Sequence, residues 1–309
     1  MTGAAAIETV GLTKRYGAVT AVDDLSFRVR EGSVTGFLGP NGAGKTTTLR
    51  MVLGLARPTA GDATIEGRHY VELAEPARTV GANLEIAGAH PGRSGREHLR
   101  ALAAMAGLPR SRVEEVLRLV ELEGAAGRRA GKYSLGMRQR LGLAATLLGD
   151  PRVLVLDEPA NGLDPQGIRW LRDFLRGMAG EGRTVLVSSH VLAEVAQTVD
   201  DVVVIHRGRL VEQGPVARLT AGAGVLVRTP RPAELRAALE GEGLHATEAV
   251  AGELVVETPD TARVGEIAFA AGIPLHELSP RATSLEEAFL ALTSDAPAGG
   301  RALAAPEAP

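Results

Sequence analysis

The chain has 309 residues, and its 34 Lys plus Arg against 37 Asp plus Glu leave a formal charge of −3, a balance that argues against bulk nucleic-acid or anionic-membrane binding. Cysteine is absent, which excludes disulfides, thiolate metal centres and cysteine nucleophiles and fits a reducing compartment. With 45% apolar residues the chain has material for one large domain or two modest ones, yet its longest apolar runs fall far short of the ~18 to 20 residues of a spanning helix. Residues 1–6 lack a basic stretch followed by an apolar one, so no secretory signal is expected and the cytosol is the expected compartment.

Residues 7–10 and Val19–Arg30 predict neighbouring strands, and Val34–Leu38 is a short apolar run that leads into glycine. A helix is predicted over 45–56, stopped before Pro58. Strand, glycine-rich turn and helix in that order make half of a βαβ unit. The stretch 96–149 predicts an all-helical insertion in an α/β domain, in which Ser111 and Glu114 read as a capping box and Val113, Val116, Leu117 and Val120 share one face. Val153–Leu156, 184–187 and 202–205 are continuous apolar runs, the pattern of strands buried on both faces of a parallel sheet. Helices predicted over 165–178 and 191–199 separate them. In the first of these helices Ile168, Leu171, Leu175 and Met178 recur at helical spacing, which makes Trp170 and Phe174 packing residues, and the chain's single tryptophan receives no functional role.

Past residue 221 the pattern changes. Strands predicted over 225–228, Ala246–Val250, 253–257 and 274–278 alternate with helices over 232–239, 261–271 and 284–292, and this β-α-β-β-α-β-α order suggests a small ferredoxin-like second domain over 221–295. Residues 296–309 are rich in Ala, Pro and Gly with little periodicity and predict a disordered tail.

Gly39-Pro40-Asn41-Gly42-Ala43-Gly44-Lys45-Thr46 fits G-x-x-x-x-G-K-[ST] between a predicted strand and a predicted helix, the context of a P-loop. Glycines let the backbone wrap a phosphate, and the helix N-terminus adds positive potential. Lys45 is one of only three lysines, with Lys14 and Lys132, and would meet the β- and γ-phosphates while Thr46 ligates Mg²⁺. The run Val153–Leu156 ends in Asp157 and Glu158, which places two carboxylates at the C-terminal edge of a parallel sheet, where α/β ligands bind. Asp157 suits the Mg²⁺ shell and Glu158 suits activation of a water, although adjacent acids at a strand end also fit a plain turn. Tyr133-Ser134-Leu135-Gly136-Met137-Arg138-Gln139-Arg140 opens a helical stretch; taken alone it is an ordinary helix cap, and its hydroxyl, bare amides and dipole end also suit a γ-phosphate.

These motifs in this order, followed by Leu-Asp-Glu-Pro at 156–159, Asn-Gly-Leu-Asp-Pro at 161–165 and Ser-Ser-His at 188–190, resemble the ATP-binding subunit of an ABC transporter, in the daunorubicin- and bacitracin-resistance exporter branch. The resemblance covers residues 7–220 and extends through Ser284-Leu285-Glu286-Glu287-Ala288-Phe289-Leu290. It implies a P-loop ABC ATPase domain with a parallel sheet core, an antiparallel β subdomain and a helical subdomain, followed by the accessory α+β domain. It implies ATP as ligand, held by Gly39, Pro40, Asn41, Gly42, Ala43, Gly44, Lys45, Thr46 and Thr47, with Tyr16 on the adenine. Ser134, Leu135, Gly136 and Met137 match the signature that closes over the ATP of the opposite subunit, which implies a head-to-tail homodimer. Leu135 and Met137 replace the commoner glycine and glutamine there, as in the drug-exporter branch.

By the same resemblance Glu158 is the catalytic base, His190 the switch histidine and Asp164 the aspartate that couples the two sites, while Asp164 before Pro165 is also a good N-cap. The other six histidines show no metal-ligand spacing. Thr46, Asp157 and Glu85 are the implied Mg²⁺ ligands, Glu85 standing where the Q-loop usually has glutamine; a carboxylate still offers oxygen to the metal. Residues 90–98 follow that loop, where such subunits receive a helix of the membrane protein, and read equally well as a solvated basic loop. The implied partner is a separate multi-spanning permease that holds the subunit on the inner face of the membrane, with no direct nucleic acid. A soluble ABC ATPase acting as a dimerisation switch is the rival, and a P-loop kinase or GTPase the third reading.

Overall fold

The computed structural model describes residues 5–84, 88–191, 197–250, 252–282 and 285–294. Its contacts divide the chain into two compact units, the second being Val216–Ala291. Among the described residues no helix is long and apolar enough to cross a membrane.

In the first unit the strands are β1 Ala5–Tyr16, β2 Val19–Arg30, β3 Val34–Leu38, β4 Ala60–Ile65, β5 Val80–Asn83, β6 Val153–Leu156, β7 Thr184–Ser189, β8 Asp201–His206 and β9 Arg209–Pro215. Its longer helices are α1 Lys45–Val52, α2 Gly95–Met105, α3 Ser111–Leu119, α4 Leu135–Thr146 and α5 Pro165–Gly180. Strands β1, β2 and β4 form an antiparallel sheet in the order β2-β1-β4. In β2 Leu25, Phe27 and Val29 alternate with exposed residues and turn one face inward, where the Phe27 ring lies 5.2 Å from that of Phe37 in β3. The main sheet runs β5-β6-β7-β3-β8-β9, with β5 through β8 parallel and β9 antiparallel at the edge. Every residue of β3, β6 and β7 is buried, as expected of central strands covered on both faces. The C-terminal ends of these three strands therefore lie side by side at one edge, and each feeds a loop that carries motif residues.

Local chemistry sets the helix limits. Helix α1 stops at Val52 rather than at 56, because Gly54 takes a left-handed φ of 67° and its N–H bonds back to Met51, which ends the helix as a glycine C-cap does. The helical stretch is broken into α2, α3 and α4. The capping box expected at Ser111 and Glu114 is absent: Ser111 is already the first helical residue, Arg110 stands at the cap, and Glu114 is drawn to Arg96 at 2.8 Å. Pro109 and Arg110 carbonyls accept from Arg112 and Val113, so the preceding turn already caps α3. A capping box instead opens α2, where Ser94 Oγ accepts from the Glu97 N–H and Glu97 Oε2 accepts from the Ser94 N–H at 2.8 Å. Val113, Val116, Leu117 and Val120 are fully buried as one face. The helix expected over 191–199 lies largely outside the described residues.

The second unit holds β10 Ala221–Arg228, α6 Pro232–Gly241, β11 Ala246–Val250, β12 Glu253–Val256, α7 Thr261–Ala270, β13 Glu277–Ala282 and α8 Leu285–Ser294, the last of which runs past Ala291. All its strand pairs are antiparallel, in the order β11-β12-β10-β13, the arrangement that a ferredoxin-like β-α-β-β-α-β chain requires. Leu235, Leu239, Val264 and Ala268 of its helices pack on Val225, Val227, Leu254 and Val256. The last strand begins at Glu277 rather than 274 and runs through Pro280, which is tolerated because β13 is an edge strand.

Candidate active site

The turn after β3 is shaped by backbone that only glycine supplies cheaply. Gly42 and Gly44 have φ of 80° and 102°, and a Cβ on Gly44 would sit 2.5 Å from the Ala21 carbonyl oxygen. A Cβ on Gly39 would meet the Ile205 carbonyl at the same distance. Gly44 is also the N-cap of α1 and brings no side chain to its first turn, so the turn's amide donors remain available to an anion. Lys45 is 6% exposed and its Nζ donates to the Gly39 carbonyl at 2.7 Å and the Pro40 carbonyl at 3.3 Å. The chain thus folds its phosphate-loop lysine back across the loop.

Two acids meet this lysine turn from the end of β6. Thr46 Oγ1 donates to Asp157 Oδ2 at 2.6 Å, which sets a hydroxyl beside a carboxylate, two oxygen donors of the kind Mg²⁺ takes. Glu158 Oε1 lies 3.1 Å from Lys45 Nζ, and its Oε2 lies 2.8 Å from His190 Nδ1. Glu158 has φ of 49°, in the left-handed region where an L residue costs about 1–2 kcal/mol. Strain of this kind at a residue held by two partners is a mark of a working site. With one carboxylate oxygen on a cation and the other on an imidazole, Glu158 is aimed across the mouth of the loop.

Ser188, which the sequence reading includes in the Ser-Ser-His motif without a role of its own, organises this cluster. Ser188, at the end of β7 and fully buried, accepts the Glu158 N–H at 2.9 Å through Oγ and donates its hydroxyl hydrogen to Asp157 Oδ1. Its signal was present in the sequence as an apolar run that ends in hydroxyls instead of continuing apolar. Asp157 is also fixed from the other side by its own N–H, which donates to the Asn83 carbonyl of β5 at 2.8 Å.

The remaining motif residues form a second group. Ser134 caps α4, its Oγ accepting from the Met137 N–H at 3.2 Å. Leu135 packs against the turn that follows Glu158: a Cβ on Gly162, whose φ is 72°, would lie 2.2 Å from Leu135 Cδ2. Gly136 faces Leu163, and Gln139 Nε2 donates to the Asn161 carbonyl at 3.3 Å. Asp164 N-caps α5, accepting from the Gly167 N–H at 2.8 Å ahead of Pro165. Tyr16 ends β1 as a residue 52% exposed, with Lys14 Nζ 5.0 Å from its ring centroid. Thr47 lies in the first turn of α1, and Glu85 lies outside the described residues.

The chain was compared with known proteins. Residues 22–161 match the family described as ABC transporter, and 223–286 match a domain of unknown function, DUF8746. The bacitracin transport ATP-binding protein BcrA of Bacillus licheniformis is 44% identical over 216 residues, 69% of this chain and 71% of that protein. This chain belongs to the ATP-binding subunits of ABC transporters. The daunorubicin resistance ATP-binding protein DrrA3 of Streptomyces coeruleorubidus is 35% identical to this ABC subunit over 304 residues, covering 94% of this chain and 96% of that one. A solved structure of an ATP-binding subunit of an ABC transporter superposes with a TM-score of 0.61 at 28% identity, over 69% of this chain and 91% of that one. As an ABC subunit the chain binds ATP, and its hydrolysis of ATP is coupled to transport.

Proposed function

We propose that this subunit holds Mg-ATP between the loop 39–47 and the end of β6, and that two copies pair head to tail, with Ser134 to Met137 of one closing on the nucleotide of the other. Driven by that cycle, a separate multi-spanning permease on the inner face of the membrane exports a drug, antibiotic or other hydrophobic compound. The observation that carries the reading is the Lys45–Glu158–His190 chain of contacts beside the Thr46–Asp157 pair.

The chemistry follows from those positions. The amides of the first turn of α1 and Lys45 take the β- and γ-phosphate oxygens, and Tyr16 offers its exposed ring to the adenine. Thr46 and Asp157, with Glu85 by the resemblance, would hold Mg²⁺, which when bound would neutralise charge on the phosphates. As nucleotide arrives, Lys45 exchanges its carboxylate partner for phosphate oxygens, leaving Glu158 to hold the attacking water. Glu158 takes the proton of that water as its oxygen bonds to the γ-phosphorus and the bond to the ADP oxygen breaks, and His190 orients Glu158 and the γ-phosphate. In the proposed pair, Asp164 at the cap of α5 would meet the partner subunit together with Ser134, Leu135, Gly136 and Met137.

The test is recovery of the Glu158→Gln subunit from its native membranes with Mg-ATP. Co-purification of a multi-spanning protein supports the reading. A nucleotide-dependent dimer with no membrane partner keeps the ATPase and replaces transport by a soluble dimerisation switch.

A further inference from the structure

Arg140, the last residue of the signature stretch, is held by three residues on two segments at once. Its Cζ lies 4.0 Å from the ring centroid of Trp170 in α5. Its Nη1 donates to the Val120 carbonyl at 3.1 Å and to Glu121 Oε2 at 2.6 Å, at the end of α3, where Glu121 takes a left-handed φ of 57°. Trp170 is braced from behind by Phe174, the rings stacked 5.2 Å apart and inclined by 20°. The Arg140 side chain keeps only 22% of its surface, while that of Glu121 keeps 62%, so the ion pair joins a largely covered guanidinium to an exposed carboxylate. A planar guanidinium over an indole is a well-matched cation–π pair, and lysine does not replace it at a stacked site.

The positions of these partners give the contact a direction. Helix α4 begins at Ser134, and α5 begins at Asp164, six residues after Glu158. Helix α4 touches the turn that leads into α5 through Leu135 on Gly162 and through Gln139 on the Asn161 carbonyl. Arg140, the residue after Gln139, reaches past that turn to Trp170 in the second turn of α5, and the same guanidinium ties the end of α3 to the pair. A helix joined to the next only through the turn before it leaves their crossing angle open, whereas a direct side-chain contact between the two constrains that angle.

We propose that Arg140 and Trp170 are positioning residues that lock the Ser134–Met137 helix start to the 158–164 turn, so that closing on the γ-phosphate and aiming Glu158 occur together. This rests on the reading that Ser134 to Met137 contact ATP across the subunit pair. Neither residue is among those proposed to hold the nucleotide. The sole tryptophan of the chain thereby acquires a role beyond packing, and its fluorescence reports on the contact directly.

The test is steady-state ATP hydrolysis by the full chain, with ATP affinity of the single subunit and thermal melting measured on the same variants. Trp170→Leu and Arg140→Gln should each lower kcat about tenfold to a hundredfold, the range expected when reacting groups lose alignment, with single-subunit ATP affinity unchanged. Trp170→Phe should recover most of the rate and Arg140→Lys should not, and the double variant Arg140→Gln/Trp170→Leu should be no slower than either single one. In the Glu158→Gln background, Mg-ATP should shift the Trp170 emission, and Ser134→Arg should abolish that shift. Full kcat in folded Trp170→Leu overturns the proposal, as do additive losses or a fall in kcat that merely follows a lowered melting temperature. If Ser134→Arg leaves wild-type hydrolysis intact, it is the underlying reading of the signature that fails.

Discussion

Ser188 shows how much of the site one hydroxyl holds in place. Its Oγ satisfies the Glu158 N–H and one oxygen of Asp157 in a fully buried position, so removing it orphans a buried donor and loosens both acids. Ser188→Ala is expected to cost about 1–3 kcal/mol of stability in thermal melts and to lower kcat more than it weakens ATP binding, measured by calorimetric titration. At His98 the argument concerns pH. Burial, aided by the Arg93 charge, holds its native pKa below the ordinary value of 6.5. The unfolded chain therefore binds the proton first as pH falls, and the stability that neutral His98 contributes is full above pH 6.5 and lost as pH drops through the lower native value. Melting temperature followed from pH 7.5 to 5.5 should fall more steeply for the wild type than for His98→Gln, and equal slopes would refute the assignment.

Among the elements, α2 and α3 show the limits of reading caps from spacing. Both Ser94-x-x-Glu97 and Ser111-x-x-Glu114 satisfy the capping pattern, but only the first serine stands outside its helix with extended backbone, ψ 159°. Ser94→Ala should lower stability by about 1 kcal/mol in chemical denaturation, while Ser111→Ala should change it by less than about 0.5 kcal/mol. The difference arises because Pro109 and Arg110 had already turned the chain and the Glu114 carboxylate had a guanidinium to meet, neither of which is visible from a four-residue motif. Apolar periodicity was the safer guide. Four residues at helical spacing put one buried face on α3, and three uninterrupted apolar runs became three interior strands.

At the scale of the molecule, the core clusters described for the first and the second unit share no residue among the described residues, and every contact described at the candidate site lies before Pro215. A chain ending at Pro215 is therefore expected to bind ATP with an affinity within about twofold of the full chain, as independent regions should, and titration calorimetry decides this. ATP at about a hundred times its dissociation constant should add about 2.7 kcal/mol to the stability of the first unit, seen as a rise in its melting transition. A rise that needs the second unit to be present would show that the two are thermodynamically coupled.

The sequence by itself determined the strand, glycine turn and helix around Lys45, the buried strand that ends in Asp157 and Glu158, and the strand order class of the second unit. Each of these is written in local patterns, because glycine, lysine and runs of apolar residues constrain the backbone within a few positions of themselves. Tertiary structure decided what no spacing encodes. The order β6-β7-β3 brings residues 45, 158, 188 and 190 to one sheet edge, and the left-handed backbone at Glu158 turns a strand-end acid onto two partners. The stack of Arg140 on Trp170 also depends on the crossing of two helices far apart in the chain. Long-range contacts of this kind follow from how packed faces meet, and a sequence read in short windows holds the faces without their meeting.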